Sequence, residues 1–172
     1  MGAAPLGRRH AGPAALRRWA GRSRSCASTV GDLGDLGEQR AALLVVLDEA
    51  VAGQAATDLA VAACGEPGPV PVGLAEVLQR QAAHYARLAD WLHALPADGD
   101  LAAVRDEALR LLSYHQWMLH QSANLAFAVH RAPSVEAARL TVHGLGAPAD
   151  RLRAVRDTLR VAAPSTGPQA HD

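Results

Sequence analysis

The chain has 172 residues, 49% of them hydrophobic, which is enough for one globular domain with a buried core. Its 17 basic residues balance 17 acidic ones, yet residues 1–30 hold six arginines and no acid, which leaves 17 − 6 = 11 arginines against all 17 acids in the rest. That mildly acidic body lacks the clustered positive face that phosphate binding needs, so nucleic-acid binding by the folded domain is not expected.

Residues 1–34 are predicted to be a disordered basic segment, because Gly, Pro, Arg and Ser dominate them without helical periodicity. Three interpretations fit this segment: an artefactual extension, a targeting leader such as a transit peptide, or a functional basic arm. No apolar core follows its arginines, so a secretory signal is not predicted. The use of arginine without lysine, and the absence of isoleucine, indicate a high-GC bacterial genome. Cys26 and Cys64 form neither a disulfide framework nor a metal motif, so we expect a soluble, cytoplasmic protein with free thiols.

Residues 35–163 are predicted to form an all-α domain, an antiparallel four-to-five-helix bundle, and residues 164–172 a disordered tail. Asp35 precedes Glu38 as an N-cap precedes its reciprocal partner, so a first helix should run from about residue 37 to residue 64. A Pro-rich link over 65–71 ends it, and a second helix should follow over 74–95. The turn at 96–100, with Asp100 as N-cap, should fold this helix against a third over 101–131. Ser134 should cap a fourth helix over 135–143, and Pro148 should open a fifth that ends near residue 162.

Residues 111–130, LLSYHQWMLHQSANLAFAVH, contain no Asp, Glu, Lys or Arg. The run is long enough to cross a bilayer, but its Ser, His, Gln and Asn side chains would lose their hydration there, at several kcal/mol for each unsatisfied group. A membrane helix is therefore not expected, and we interpret the run as the central helix of the bundle. His115 and Ser122 lie on its apolar stripe, which is unusual for polar residues.

The hairpin of the second and third helices suggests which residues face each other. If its turn centres near Asp98, residue i of the second helix lies level with about residue 196 − i of the third, because both helices rise equally per residue. Five of the six aromatic residues also belong to this helix pair. We therefore predict a ligand pocket between the two helices, with these candidate residues: Glu76, His84, Tyr85, Tyr114, His115, Trp117 and His120.

Two interpretations of these polar residues compete. In the first, imidazoles beside a carboxylate move protons or orient a small molecule. In the second, His115 donates to a backbone carbonyl or to a side chain such as Tyr85, while His84 and His120 lie at the solvent margin.

No metal, cofactor or catalytic residue is predicted. His115 and His120 are five residues apart, about 140° around a helix, so they cannot chelate one ion as an i, i+4 pair would. The only Asp-x-x-His motif, Asp90 to His93, has no second copy, and nucleophile or nucleotide-binding motifs are missing from the sequence.

Two hypotheses about function follow, and they leave open whether the protein is an enzyme. The first is a non-enzymatic interaction or regulatory module that binds a protein partner or forms a homodimer. It would use an alanine-rich helix face or a basic cluster in the fifth helix: Arg151, Arg153, Arg156 and Arg160. The alternative is a small-molecule-binding protein or cofactor-independent enzyme that uses the predicted pocket.

Overall fold

The computed structural model describes residues 36–130 and 132–161, and within these ranges the chain forms five helices and no strand. They are α1 (Leu36–Gly65), α2 (Leu74–Ala94), α3 (Asp100–Ala126), α4 (Pro133–Arg139) and α5 (Ala147–Val161). The all-α prediction is confirmed. The predicted disorder at 1–34 and 164–172 and the predicted cap at Asp35 lie outside the described residues.

Helices α1, α2 and α3 pack against one another, and α5 packs against α1 and α3. Contacts at the helix ends show that α1 runs antiparallel to both α2 and α5. Gln39, in the first turns of α1, bonds to Asp98 just after α2, and Arg40 donates to the carbonyl oxygen of Leu159 near the end of α5. The core is built from leucines that recur at helical spacing, such as Leu43 and Leu47 of α1, which are fully buried.

Both ends of α3 and both ends of α4 differ from their predicted positions. Helix α3 ends at Ala126 rather than near residue 131, and the amide of Phe127 closes its last turn by donating to the carbonyl oxygen of Ala123 at 2.9 Å. Asp100 is the first helical residue and Gly99 occupies the N-cap position, so Asp100 contributes its charge to the first turn rather than a side-chain cap.

Helix α4 spans Pro133–Arg139 instead of 135–143, and Ser134 lies inside it rather than capping it. Proline suits the first helical position because its φ is already helical and its missing N–H would have no partner there. The amides of Val135 and Glu136 donate to the carbonyl oxygen of Ala132, which closes the first turn without a side-chain cap.

Arg139 ties α4 to the end of α1, and its side chain is only 1% exposed. The guanidinium donates to the carbonyl oxygens of Cys64 and Glu66 at 2.8 and 2.6 Å, and to both carboxylate oxygens of Glu136. These bonds satisfy carbonyls that the helix end leaves without intrahelical donors. The chain just after α4 lies so close to the end of α1 that a Cβ on Gly65 would overlap the carbonyl oxygen of Val142.

Candidate functional site

Tyr85 and His115 meet in the core between α2 and α3. Both side chains are fully buried, and their ring centroids are 5.1 Å apart. The predicted register placed Tyr85 level with about residue 111, so the observed contact lies one helical turn further along α3. His84 is at the margin of this cluster, half-buried, with Nε2 3.5 Å from the carbonyl oxygen of Glu49 in α1.

Hydrogen bonds determine the tautomer of His115. Its Nδ1 lies 2.6 Å from the carbonyl oxygen of Leu111, and because a carbonyl can only accept, Nδ1 carries the proton. Nε2 of the neutral ring is therefore an acceptor, and it faces the side-chain amide nitrogen of Gln54 at 3.4 Å. This matches the interpretation in which His115 donates to a backbone carbonyl.

Gln54 links three helices through one amide group, although its side chain is almost completely buried. Its Nε2 donates to the carbonyl oxygen of Ala149 in α5 at 3.0 Å as well as facing His115 in α3. Its Oε1 accepts from Nε of Arg153 at 2.9 Å. Two independent contacts thus orient the amide, and rotating it would place oxygen against oxygen at Ala149 and donor against donor at Arg153.

Burial lowers the pKa of His115 below its ordinary value, and the nearby charge of Arg153 lowers it further, although the bond to Leu111 acts in the opposite direction. A proton on Nε2 would also face the Gln54 amide, which is held as a donor. The ring is therefore a neutral hydrogen-bonding group in the core rather than an imidazolium that exchanges protons with solvent.

Thr57 continues the polar core one turn beyond Gln54. Its hydroxyl lies 2.9 Å from the carbonyl oxygen of Gly53 and 3.1 Å from Oε1 of Gln81 in α2. The nearby phenol of Tyr85 is 3.5 Å from the carbonyl oxygen of Ala50. Burial raises the pKa of Tyr85, and a hydrogen bond with Thr57 offsets part of that increase, so the phenol stays neutral.

The other candidates on α3 lie on or near its solvent side. Trp117 is 52% exposed, and the ring of half-buried Tyr114 lies 5.7 Å from it. We call the exposed residues of α3 and its C-cap between 113 and 127 the outer face of α3. They fall within about 120° of arc and include no Asp, Glu, Lys or Arg: Ser113, Trp117, His120, Gln121, Asn124 and Phe127.

The helices α2 and α5 differ from this face because they expose charged side chains. Helix α2 exposes Glu76, Arg80, Arg87 and Asp90, and α5 exposes several arginines and aspartates. Even α3 exposes Asp106 in an earlier turn. The outer face is thus an uncharged strip that carries aromatic side chains, whereas the uncharged exposed residues of the second half of α1, Ala52, Ala55, Ala56 and Leu59, include no aromatic one.

A shallow apolar groove borders the outer face, with a volume of about 190 Å³. It lies between α2 and α3, as the sequence predicted for a pocket, but only one of the seven candidate residues, His120, lines it. The other lining residues are Ala75, Leu78, Gln79, Ala82, Leu119, Ala123 and Phe127. Glu76 is exposed on α2 beside Ala75, so the structure separates the candidates into a buried pair with half-buried His84 at its margin, a group on the solvent side of α3 and one solvent-facing carboxylate.

The arginines of α5 are paired with acids of the same chain. Arg151 contacts Glu107 of α3 at 2.7 Å, and Arg160 contacts Asp48 of α1 at 2.6 Å. Arg153 and Arg156 contact acids within α5 itself, at 2.6 and 2.7 Å. Because each guanidinium has an acid within the bundle, this cluster offers less unpaired charge to an acidic partner than its sequence suggests.

No three His, Cys, Asp or Glu side chains of residues 36–130 and 132–161 are grouped so that they could hold a metal. Burial raises the pKa of the Cys64 thiol to about 11, although the charge of Arg139 lowers it in part, so this thiol is neutral and inert. None of the described helices has the length and apolarity needed to cross a bilayer.

Gln54 and Thr57 are the site residues that sequence reasoning missed. Both occur on the stripe of α1 that includes Leu47, Ala50 and Val61, all of which are buried. The signal that marked His115, a polar residue on an apolar stripe, was therefore present for both of them.

No protein family matches the chain, and no curated protein or solved structure is significantly similar to it. A function can therefore be proposed only from the chemistry of this chain's own residues.

Proposed function

We propose that the protein is a non-enzymatic helical interaction module that binds a protein partner through the outer face of α3. The observation that carries this proposal is the absence of charge on that exposed face together with its aromatic content. Interface cores are depleted in charged residues and enriched in Trp, Tyr and Phe, and here Trp117 and Phe127 are 52% and 46% exposed. A cytoplasmic location remains part of this proposal.

The other surfaces and the core support a binding function less well. The basic cluster of α5 is paired with acids of the bundle, so an acidic partner would have to compete with those ion pairs. The polar core is closed: His115 and Gln54 have partners within the bundle and almost no exposed surface. The exposed, uncharged residues of α1, such as Ala55 and Leu59, carry no aromatic side chain, so we assign the interaction role to the outer face of α3.

Binding of a small molecule in the groove between α2 and α3 is the second candidate function. The groove favours it because His120 offers one polar group in an otherwise apolar lining. Its volume of about 190 Å³ lies below the roughly 300–1,000 Å³ of typical ligand pockets. A ligand that fits would be small and apolar, and no paired acid and base in the groove would act on it.

Site-specific photo-crosslinking in the native host tests the proposed function. A photo-reactive aromatic amino acid replaces Trp117, and the control carries it at Arg87, which is exposed on the charged side of α2. We expect a light-dependent protein adduct from position 117 and none from position 87. If position 117 gives no more adduct than position 87, the outer face is not a binding surface and the proposed function fails.

A further inference from the structure

We infer that the outer face of α3 binds the same face of a second copy of this chain. This inference rests on the proposed function, and it adds the identity of the partner. Three features support a second copy as the partner: the lack of charge on the outer face, the charged turns that precede it on α3, and its size.

The face matches itself in charge. Burying it against a copy desolvates no Asp, Glu or Arg side chain, whereas a charged partner surface would lose its hydration without meeting an opposite charge. The polar groups on the face also match themselves. Gln121 and Asn124 carry amides that both donate and accept, so a copy can satisfy them.

The basic segment at the start of the chain is a poor occupant by the same reasoning. Its six arginines within residues 1–30 would be placed on a strip that has no acid to pair with them. The outer face of α3 therefore disfavours arginine-rich segments of any protein.

The charged turns before the face favour an antiparallel arrangement of the two α3 helices. In a parallel pair in register, Asp106 would lie beside Asp106 and Arg110 beside Arg110 of the other copy, and like charges so placed repel. In an antiparallel pair centred on the face, Ser113 lies level with Phe127 of the other copy. Arg110 then lies beyond the end of the partner's helix, where it keeps its hydration.

The size of the face predicts a weak dimer. From residue 113 to residue 127 the helix rises about 21 Å, and the groove widens the outer face across two helices packed roughly 10 Å apart. The footprint is then on the order of 400 Å² per copy, about half of the 800 Å² per partner that is usual for a stable complex. A dissociation constant in the micromolar range is therefore expected.

Sedimentation velocity of the purified full chain tests the inference, at concentrations up to about 200 µM, well above the expected dissociation constant. The wild type should shift from the 18.0 kDa of one chain to twice that mass as concentration rises. Trp117→Arg and Phe127→Arg should each remain monomeric, because each places an unpaired charge in the interface.

Leu59→Arg is the matched control, since Leu59 is also an exposed large apolar residue, 73% exposed, but belongs to α1. It should dimerise as the wild type does. Circular dichroism and urea unfolding of all variants establish that each is folded. A wild type that stays monomeric at about 200 µM, or a folded Trp117→Arg variant that still dimerises, would overturn the inference.

The crosslinking experiment separates this inference from the proposed function. An adduct of twice the chain mass from position 117 supports both. An adduct only with a different protein, together with a monomeric purified chain, overturns the homodimer and leaves the interaction module standing. An absence of adducts overturns both.

Discussion

Replacing Gln54 by leucine should destabilise the bundle more than its single amide group suggests. The amide donates to the carbonyl oxygen of Ala149 and faces Nε2 of His115, and both acceptors are buried. Leucine has a similar volume but no hydrogen-bonding group, so both acceptors would lose their donor while remaining inaccessible to water.

The cost can be worked from these two acceptors. A buried polar group left without its partner costs about 1–3 kcal/mol, so the two together cost about 2–6 kcal/mol. The third partner, Arg153, contributes little because its side chain is 48% exposed and water can replace the amide oxygen. Burial of the apolar leucine offsets part of the loss, so we expect the free energy of unfolding to fall by about 3 kcal/mol.

Urea unfolding followed by circular dichroism measures this change, and Gln39→Leu provides the matched control. Gln39 is as buried as Gln54, with 4% and 3% of their surfaces exposed, and both lie on α1. The Gln39 amide bonds to the side chain and backbone of Asp98, an exposed loop residue that water can reach. Gln39→Leu should therefore cost about 1 kcal/mol or less. If the two variants lose equal stability, the linkage of three helices through Gln54 is not what holds α5 in place.

Three further predictions concern other parts of the bundle. Because burial lowers the pKa of His115 below 6.5, the unfolded chain binds this proton at a higher pH than the folded chain does, so the contribution of His115 to stability is complete above about pH 6.5 and falls below it. Urea unfolding should therefore show wild type losing stability relative to His115→Phe between pH 7.5 and pH 5. A constant difference between the two proteins would contradict this. Gly65→Ala should lose roughly 3 kcal/mol because its Cβ overlaps the carbonyl oxygen of Val142. Gly53→Ala should change stability by about 1 kcal/mol at most, since its Cβ meets the His84 side chain at 3.2 Å and the Tyr85 hydroxyl at an ordinary 3.7 Å. Equal losses on thermal unfolding would refute the close approach at Gly65. Ser122→Ala should raise the free energy of unfolding by about 1 kcal/mol, because the buried hydroxyl has no hydrogen-bond partner, and a loss of stability would show that it has one.

The helices could be predicted from sequence because their signals are local. Apolar residues at three- and four-residue spacing, and breaks at proline and glycine, place α1, α2 and α5 within about two residues of their observed bounds. The end of α3 was predicted five residues too late, because residues 127–131 carry neither proline nor glycine to mark a break. A tertiary contact accounts for the end of α3. The chain turns there, and α4 then brings Arg139 to the carbonyl oxygens of Cys64 and Glu66 at the end of α1.

The arrangement of the site depends on contacts between helices, and spacing along one helix does not contain that information. The predicted hairpin pairs α2 with α3, but Tyr85 contacts His115 one turn further along α3 than the predicted register places it. Gln54 was missed for a related reason. A polar residue on an apolar stripe is recognisable in sequence, but its partners Ala149 and Arg153 belong to a helix almost a hundred residues later.

The charge-free run over 111–130 has two separate physical causes, one for each side of α3. On the inner side, His115 and Ser122 are buried in the core, where a charge would cost several kcal/mol, so packing within one chain explains its absence. On the outer side, Trp117 and Asn124 are exposed, and a charged residue there would cost an isolated chain almost nothing. Folding of a single copy therefore gives no reason for the outer face to lack charge, whereas burial of that face against a partner does. This difference between the two sides is why the outer face, and not the polar core, carries the proposed function.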